Sequence, residues 1–150
     1  MNLPKPFIHT TDGINVLRDD LLPGGTKRRV LHVLFGGAEE YIYASPAYGY
    51  AQIALAMACR DHNLRATIFT AKRARPHART LEAQKAGAKV VMVPTGYMTN
   101  VRAKAREYAA AAGAALLPFG LDDPRIIDAI AALASLTVKP APTEVWTVAC

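Results

Sequence analysis

The chain has 150 residues, of which 51% are hydrophobic, enough for one domain with a buried core. Its 18 lysines and arginines outnumber its 12 acidic residues and give a net charge of +6, which favours anionic partners but does not choose among phosphorylated small molecules, nucleic acid and acidic proteins. Two cysteines exclude a disulfide framework, and the lack of a signal-peptide pattern or a long apolar run predicts a cytoplasmic protein that does not cross a membrane.

Turn residues and hydrophobic patterning divide the chain into alternating strands and helices. The predicted strands are 14–20, 39–45, 65–71, 89–94, 114–120 and 144–150. The predicted helices are 26–35, 49–64, 78–88, 100–113 and 123–136. This alternation predicts a single α/β domain over residues 1–150, a Rossmann-like three-layer α/β/α architecture around a mainly parallel sheet.

The segment "LPGGTKRRVL" (22–31) places Lys27 directly after a Gly-Gly-Thr turn, at the start of a predicted helix. A helix N-terminus and neighbouring guanidinium groups, here those of Arg28 and Arg29, both disfavour the charged form of an amine. An uncharged amine can attack a carbonyl. The alternative is that the three basic residues form a solvated turn, which is a common arrangement.

The segment "SPAYGYAQIALA" (45–56) takes the chain from a strand into a helix of small residues through a proline and a glycine. A strand, a tight turn and a helix start in this order bring backbone N–H groups close to an anion or a cofactor ring. Ordinary packing of the helix on the strand explains the same pattern equally well. The pattern therefore marks a candidate site without identifying its ligand.

Both segments resemble blocks of one enzyme family. "LRDDLLPGGTKRRVL" (17–31) resembles the "KRED…GGNKTRKLE" block of the aminocyclopropane-carboxylate deaminase and D-cysteine desulfhydrase group, and "PAYGYAQIALA" (46–56) resembles "PTSGNTGIALA" of the cysteine synthases. Both groups belong to the fold-type II, tryptophan-synthase-β-like enzymes, which use pyridoxal 5′-phosphate. "RATIFTA" and "KAGAKVV" then follow in the order of the family's "ATIV" strand and "GAEVV" segment, so the resemblance covers residues 14–150, the N-terminal portion of such an enzyme.

The resemblance implies that Lys27 is the catalytic lysine, which forms the Schiff base with pyridoxal phosphate and moves a proton at the substrate α-carbon. It also implies cofactor contacts at Gly49 and Tyr50, where Tyr50 stands at the position of the family's asparagine and offers a hydroxyl for a similar hydrogen bond. Ser45, Tyr48 and Tyr50 are the candidates for binding the substrate. The implied reaction is deamination, elimination or replacement at an amino acid or amino-acid-like group, a lyase, deaminase or transferase chemistry.

The family's cofactor phosphate is bound by a Gly-rich loop that follows the strand matching "EVWTVAC" (144–150), and a C-terminal portion supplies the partner of the pyridine nitrogen. Neither lies within these 150 residues. We therefore expect a truncated fragment, a natural half that pairs with another chain, or a divergent member without the cofactor. An uncovered sheet edge further predicts a homo-oligomer or a missing C-terminal half or partner chain.

The segment "AKRARPHAR" (71–79) carries a cluster of basic residues in a predicted loop. Arg73, Arg75 and Arg79 are the candidates for binding an anion, either a phosphate or a nucleic-acid backbone. A solvated loop is the alternative, and aromatic residues for base stacking are lacking there.

Cys59 and His62 lie three residues apart on a predicted helix, a spacing that fits half of a metal site. No second pair of ligands at a familiar spacing accompanies them, so no metal site is predicted.

The sequence also allows two functions other than that of an enzyme acting on amino acids. One is a non-catalytic Rossmann-like binding or assembly module for an anionic ligand or a partner chain. The other is a pyridoxal-phosphate enzyme that modifies nucleobases in DNA, which the charge of +6 permits.

Overall fold

The computed structural model describes residues 5–94, 96–138 and 143–144. An antiparallel hairpin comes first, formed by β1 (Ile8–Thr11) and β2 (Ile14–Leu17). Its turn residues Asp12 and Gly13 have φ angles of 49° and 77°, as the two central residues of a type I′ turn require. The predicted strand 14–20 ends at Leu17, because a 3-10 helix begins at Asp19.

The predicted alternation of strands and helices is confirmed. The remaining strands are β3 (Glu40–Ala44), β4 (Arg65–Ala71), β5 (Lys89–Val93) and β6 (Ala115–Leu116). The helices are α1 (Gly25–Val30), α2 (Ala51–Asp61), α3 (Ala78–Lys85), α4 (Met98–Ala112) and α5 (Pro124–Thr137). Short 3-10 helices span Asp19–Leu21, Leu31–Leu34 and Phe119–Leu121.

Two predicted strands need comment. The prediction for 114–120 is wrong beyond residue 116, because Pro118 and the left-handed Gly120 (φ 75°) turn the chain into a 3-10 helix. The predicted strand 144–150 lies, apart from residue 144, outside the described residues.

Strands β3 to β6 form one parallel sheet in the order β5-β4-β3-β6. Alternate residues of β3 face opposite layers, as the two-residue period of a strand dictates. Tyr41 and Tyr43 pack into a core cluster with residues of α1, α2, α3 and α5, and Ile42 and Ala44 pack into a second cluster with α4. Helices thus cover both faces, which confirms the three-layer α/β/α architecture.

Helix α2 lies in the interior of the first cluster. Eight of its eleven residues are buried, and half of these eight are alanines, which allow close approach to the sheet and to neighbouring helices. Cys59 is among the buried residues, and burial raises the pKa of its thiol to about 12, so the thiol is not a reactive thiolate.

Within the described residues, no cluster of three or more histidine, cysteine, aspartate or glutamate side chains could hold a metal ion. Among these same residues, no helix combines the length and the apolar character needed to cross a membrane.

Candidate active site at the switch point of the sheet

The sheet has a switch point between β3 and β6. From β3 the chain continues to β4 and β5 on one side, and β6 then returns to the other side of β3. In open parallel sheets ligands bind beside such a point, in the loops that follow the carboxyl ends of the strands. Here these loops are residues 45–50 after β3 and residues 117–121 after β6.

Lys27 lies at this point. It is the third residue of α1 and is half-buried, and its Nζ donates to the backbone carbonyl of Gly120 over 3.5 Å. The N–H of Gly120 in turn donates to the hydroxyl of Tyr43 near the end of β3, over 3.1 Å. The backbone of one residue, Gly120, therefore connects the amine of Lys27 to a hydroxyl on the central strand.

Tyr43 is a site residue that the sequence pattern does not reveal. It lies in a run of buried residues, and its ring is 3% exposed. Burial raises the pKa of its hydroxyl, and the hydrogen bond from Gly120 and the charge of Arg102 act in the opposite direction. Tyr43 thus presents a protonated hydroxyl at the switch point.

Arg28 and Arg29 do not belong to a solvated turn, so that interpretation is wrong for both. Arg28 makes a bidentate pair with Asp61 at the end of α2, with N···O distances of 2.6 and 2.9 Å. Arg29 contacts one oxygen of Asp19 at 3.1 Å, and Thr26 donates to the other oxygen. Both guanidinium groups are therefore paired with carboxylates, and these contacts hold α1 in place.

The loop of residues 45–50 is held in shape by its own hydrogen bonds. Ser45 is fully buried, and its hydroxyl donates to the carbonyl of Pro46 over 2.9 Å. The side-chain amide of Gln52, also fully buried, donates to the carbonyls of Ala47 (3.0 Å) and Gly49 (2.8 Å). A Cβ on Gly49 would lie 2.7 Å from the Ser45 hydroxyl, so this fold of the loop requires glycine there.

The two tyrosines of this loop are partly accessible. Tyr48 is 63% exposed and Tyr50 is 38% exposed. The ring of Tyr50 lies 3.6 Å from the point that a Cβ would occupy on Gly25, which brings it to the start of the lysine-bearing helix. Tyr50 therefore lies beside the first turn of the helix that carries Lys27.

The basic residues of 71–79 have different surroundings in the structure. Arg79 donates to the carbonyl of Tyr48, and its guanidinium lies 5.7 Å from the centre of the Tyr50 ring, so it supports the loop of residues 45–50. Arg73 and Arg75 are exposed and form no ion pair within the described part of the chain.

Two tyrosines on β3 give a matched test of the link to Gly120. Tyr43→Phe is expected to lower the free energy of unfolding by about 1 kcal/mol, because it leaves the Gly120 N–H without its partner. Tyr41→Phe is expected to leave the free energy of unfolding unchanged or to raise it, because the buried Tyr41 hydroxyl has no hydrogen-bond partner in the described structure. Urea unfolding followed by circular dichroism measures both, and equal losses would contradict the assignment.

Solved structures with a similar fold include a deaminase homologue, a threonine deaminase and a cystathionine beta-synthase. An ACC deaminase homologue matches with a TM-score of 0.66 and 15% identity over 83% of this chain and 43% of its own. Threonine deaminase isoform 2 from Solanum lycopersicum, in its processed form, matches with a TM-score of 0.67 and 21% identity over 83% and 36%. An O-acetylserine dependent cystathionine beta-synthase from Helicobacter pylori matches with a TM-score of 0.55 and 19% identity over 76% and 44%.

These likenesses confirm the fold that the resemblance implies, a parallel α/β sheet covered by helices on both faces. The chain spans about two fifths of the length of the structures that it matches. No protein-family model matches the chain, and no curated protein matches it in sequence.

Proposed function

We propose that the chain is the lysine-bearing N-terminal part of a pyridoxal-phosphate-dependent enzyme that acts on an amino acid or an amino-acid-like group. The observation that carries the proposal is the position of Lys27, whose amine lies at the switch point of the sheet and faces the loop after β6. The likeness of the fold to an ACC deaminase homologue and to a threonine deaminase supports the same reaction class, deamination, elimination or replacement.

The residues present fit the aldehyde end of pyridoxal phosphate. A primary amine is the group that an aldehyde requires, and the amine of Lys27 forms no ion pair within the described residues, whereas its neighbours Arg28 and Arg29 are both paired. The ring of Tyr50 lies at the start of α1, the helix that carries Lys27. We assign the phosphate end to the part of the enzyme that lies outside these 150 residues.

Each residue then has a role. When bound, the cofactor draws electrons from the α-carbon of an amino acid. Lys27 would hold the cofactor through its amine and would move the proton at the substrate α-carbon. Gly120, whose N–H donates to the hydroxyl of Tyr43, would orient the Lys27 amine through its carbonyl. The hydroxyl of Tyr43 keeps its proton because burial raises its pKa.

The loop of residues 45–50 is proposed to bind the substrate. Gln52 and Gly49 hold the loop in one shape, so its exposed groups are positioned before a substrate arrives. Tyr48 and Tyr50 provide hydroxyls for a carboxylate, whereas the Ser45 hydroxyl already donates to Pro46 and must change partner to take part.

Reductive trapping tests the role of Lys27. The chain is incubated with pyridoxal phosphate, reduced with borohydride and mapped by peptide mass spectrometry. We expect label at Lys27 ahead of the exposed Lys72, Lys85 and Lys104, which serve as internal controls in the same sample. Trapping works even where affinity is low, which matters because the chain alone is expected to bind the cofactor weakly.

Lys27→Ala is the matched variant. We expect it to lose the saturable absorbance band that pyridoxal phosphate produces with the wild-type chain, with no change in labelling of the exposed lysines. Label spread evenly over the exposed lysines, in the wild-type chain as in the variant, would contradict the proposal and favour a binding or assembly module.

A further inference from the structure

A second group of candidate ligand-binding residues lies at the carboxyl end of β4. There a cavity of about 10 Å³ is enclosed by the end of β4, the start of α3 and the loop after β3. Its polar or charged lining comes from Thr70, Arg73, His77 and Thr80, and its apolar lining includes Ala47 of the loop and Met92 of β5. A volume of this size holds about one water-sized atom, so a single oxygen fits inside.

Thr70 supplies a hydrogen-bonding group that the protein itself leaves unused. Its side chain is 2% exposed, and its hydroxyl has no hydrogen-bond partner within the described residues. The neighbouring Thr80 differs, because its hydroxyl donates to the carbonyl of Ala47 over 3.2 Å. Since buried polar groups are almost always satisfied, the hydroxyl of Thr70 indicates that an oxygen or nitrogen atom occupies the cavity.

Arg73 brings a positive charge to the lining of the cavity, and Lys72 and Arg75 are its near neighbours in the chain. The side chains of Lys72, Arg73 and Arg75 are exposed and make no hydrogen bond or ion pair among the residues that the structure describes. Helix α3, which begins at Ala78 and is capped by His77, directs its positive end to the same place. The N-terminus of α3 and the exposed basic side chains together favour binding of an anion.

We propose that this cavity binds a phosphate group. One phosphate oxygen enters the cavity and accepts a hydrogen bond from the hydroxyl of Thr70, and the guanidinium of Arg73 contacts the remaining oxygens outside. The group belongs either to a small phosphate ester or to a nucleic-acid backbone, which present the same oxygens. The site does not involve Lys27, so the proposed phosphate binding does not depend on the proposed cofactor.

Phosphate titration of the full chain, followed by ¹H–¹⁵N correlation spectra at constant ionic strength, tests the proposal. We expect saturable shifts at residues 70–80 and about tenfold weaker binding in Thr70→Val and in Arg73→Gln, the effect of one lost hydrogen bond to a charged group. Thr70→Ser keeps the hydroxyl and is expected to bind as the wild-type chain does.

Two further variants are controls. Arg106→Gln removes an equal charge from an exposed position on α4, which covers the opposite face of the sheet, and is expected to leave phosphate binding unchanged. Lys27→Ala is also expected to leave it unchanged, which separates this site from the proposed cofactor site.

The source of the phosphate is distinguished by competition. A short oligothymidylate that binds more tightly than inorganic phosphate, and loses affinity in Thr70→Val, assigns the site to a nucleic-acid backbone. Competition by methyl phosphate but not by the oligonucleotide assigns it to a small ester. Equal phosphate affinities in the wild-type chain, Thr70→Val and Arg73→Gln, or no saturable binding, would overturn the proposal.

Discussion

Replacing Asp61 with alanine is expected to lower the free energy of unfolding by about 3–5 kcal/mol. The carboxylate holds both Nε and Nη2 of Arg28, and the two side chains are only 13% and 12% exposed. Without Asp61 the guanidinium stays largely shielded from water with no counter-charge, and that unpaired charge, more than the lost bond, accounts for the size of the effect.

An exposed pair of the same residue types is the matched control. Arg18 and Asp20 make a similar bidentate contact, but their side chains are 32% and 59% exposed. Asp20→Ala is expected to change stability little, because water and salt screen an exposed pair. Urea unfolding monitored by circular dichroism measures both variants.

The double variant Arg28→Met with Asp61→Leu separates burial from pairing. It removes both charges and keeps apolar volume, so it is expected to recover much of the stability that Asp61→Ala loses. A loss in Asp61→Ala no larger than in Asp20→Ala would show that Arg28 reaches water when its partner is removed, and that the pair does not anchor α1.

This ion pair shows why the sequence predicts one part of the site and not another. The Gly-Gly-Thr-Lys order and its resemblance to a known block identify Lys27, because these residues are adjacent in the chain. The partner of Arg28 lies 33 residues further on, at the end of α2. No residue near Arg28 in the sequence indicates its contact with Asp61. The local pattern therefore allows a solvated turn, whereas in the fold the charge of Arg28 is paired.

The same distinction separates the fold elements that are predicted from those that are not. Strand β4 is predicted at its observed bounds because a short run of apolar and β-branched residues between turn residues defines it locally. The hairpin strand β1 is not predicted, since all four of its residues are exposed and no hydrophobic face marks it, although Asp12-Gly13 is a typical hairpin turn. Strand β6 is short because Pro118 interrupts it.

Tyr43 and Gly120 illustrate a limit of another kind. They are 77 residues apart, and each has an ordinary local explanation, a core aromatic on a strand and a glycine in a turn. Only the return of the chain to the free side of β3 brings them together. Residues that act through a backbone group on another element therefore have to be found in the structure.

Gly24→Ala is expected to destabilise the fold by about 3 kcal/mol, the sum of two separate effects. Gly24 has φ 80°, a left-handed conformation that costs a residue with a Cβ about 1–2 kcal/mol. The new Cβ would also lie 2.8 Å from both Cβ and Cδ of Arg28, and Cβ cannot move without shifting α1. Overpacking of this kind adds about 1–3 kcal/mol.

Gly37→Ala isolates the first effect, because Gly37 has φ 93° and no atom lies within 4 Å of the position of its Cβ. The difference between the two losses, measured by urea unfolding, is the cost of displacing Arg28. We also expect Gly24→Ala, and not Gly37→Ala, to weaken labelling of Lys27 by pyridoxal phosphate, because Lys27 precedes Arg28 on the helix that must move. Equal losses of stability in the two variants would show that the conformation of Gly24, and not its contact with Arg28, is what the turn before Lys27 requires.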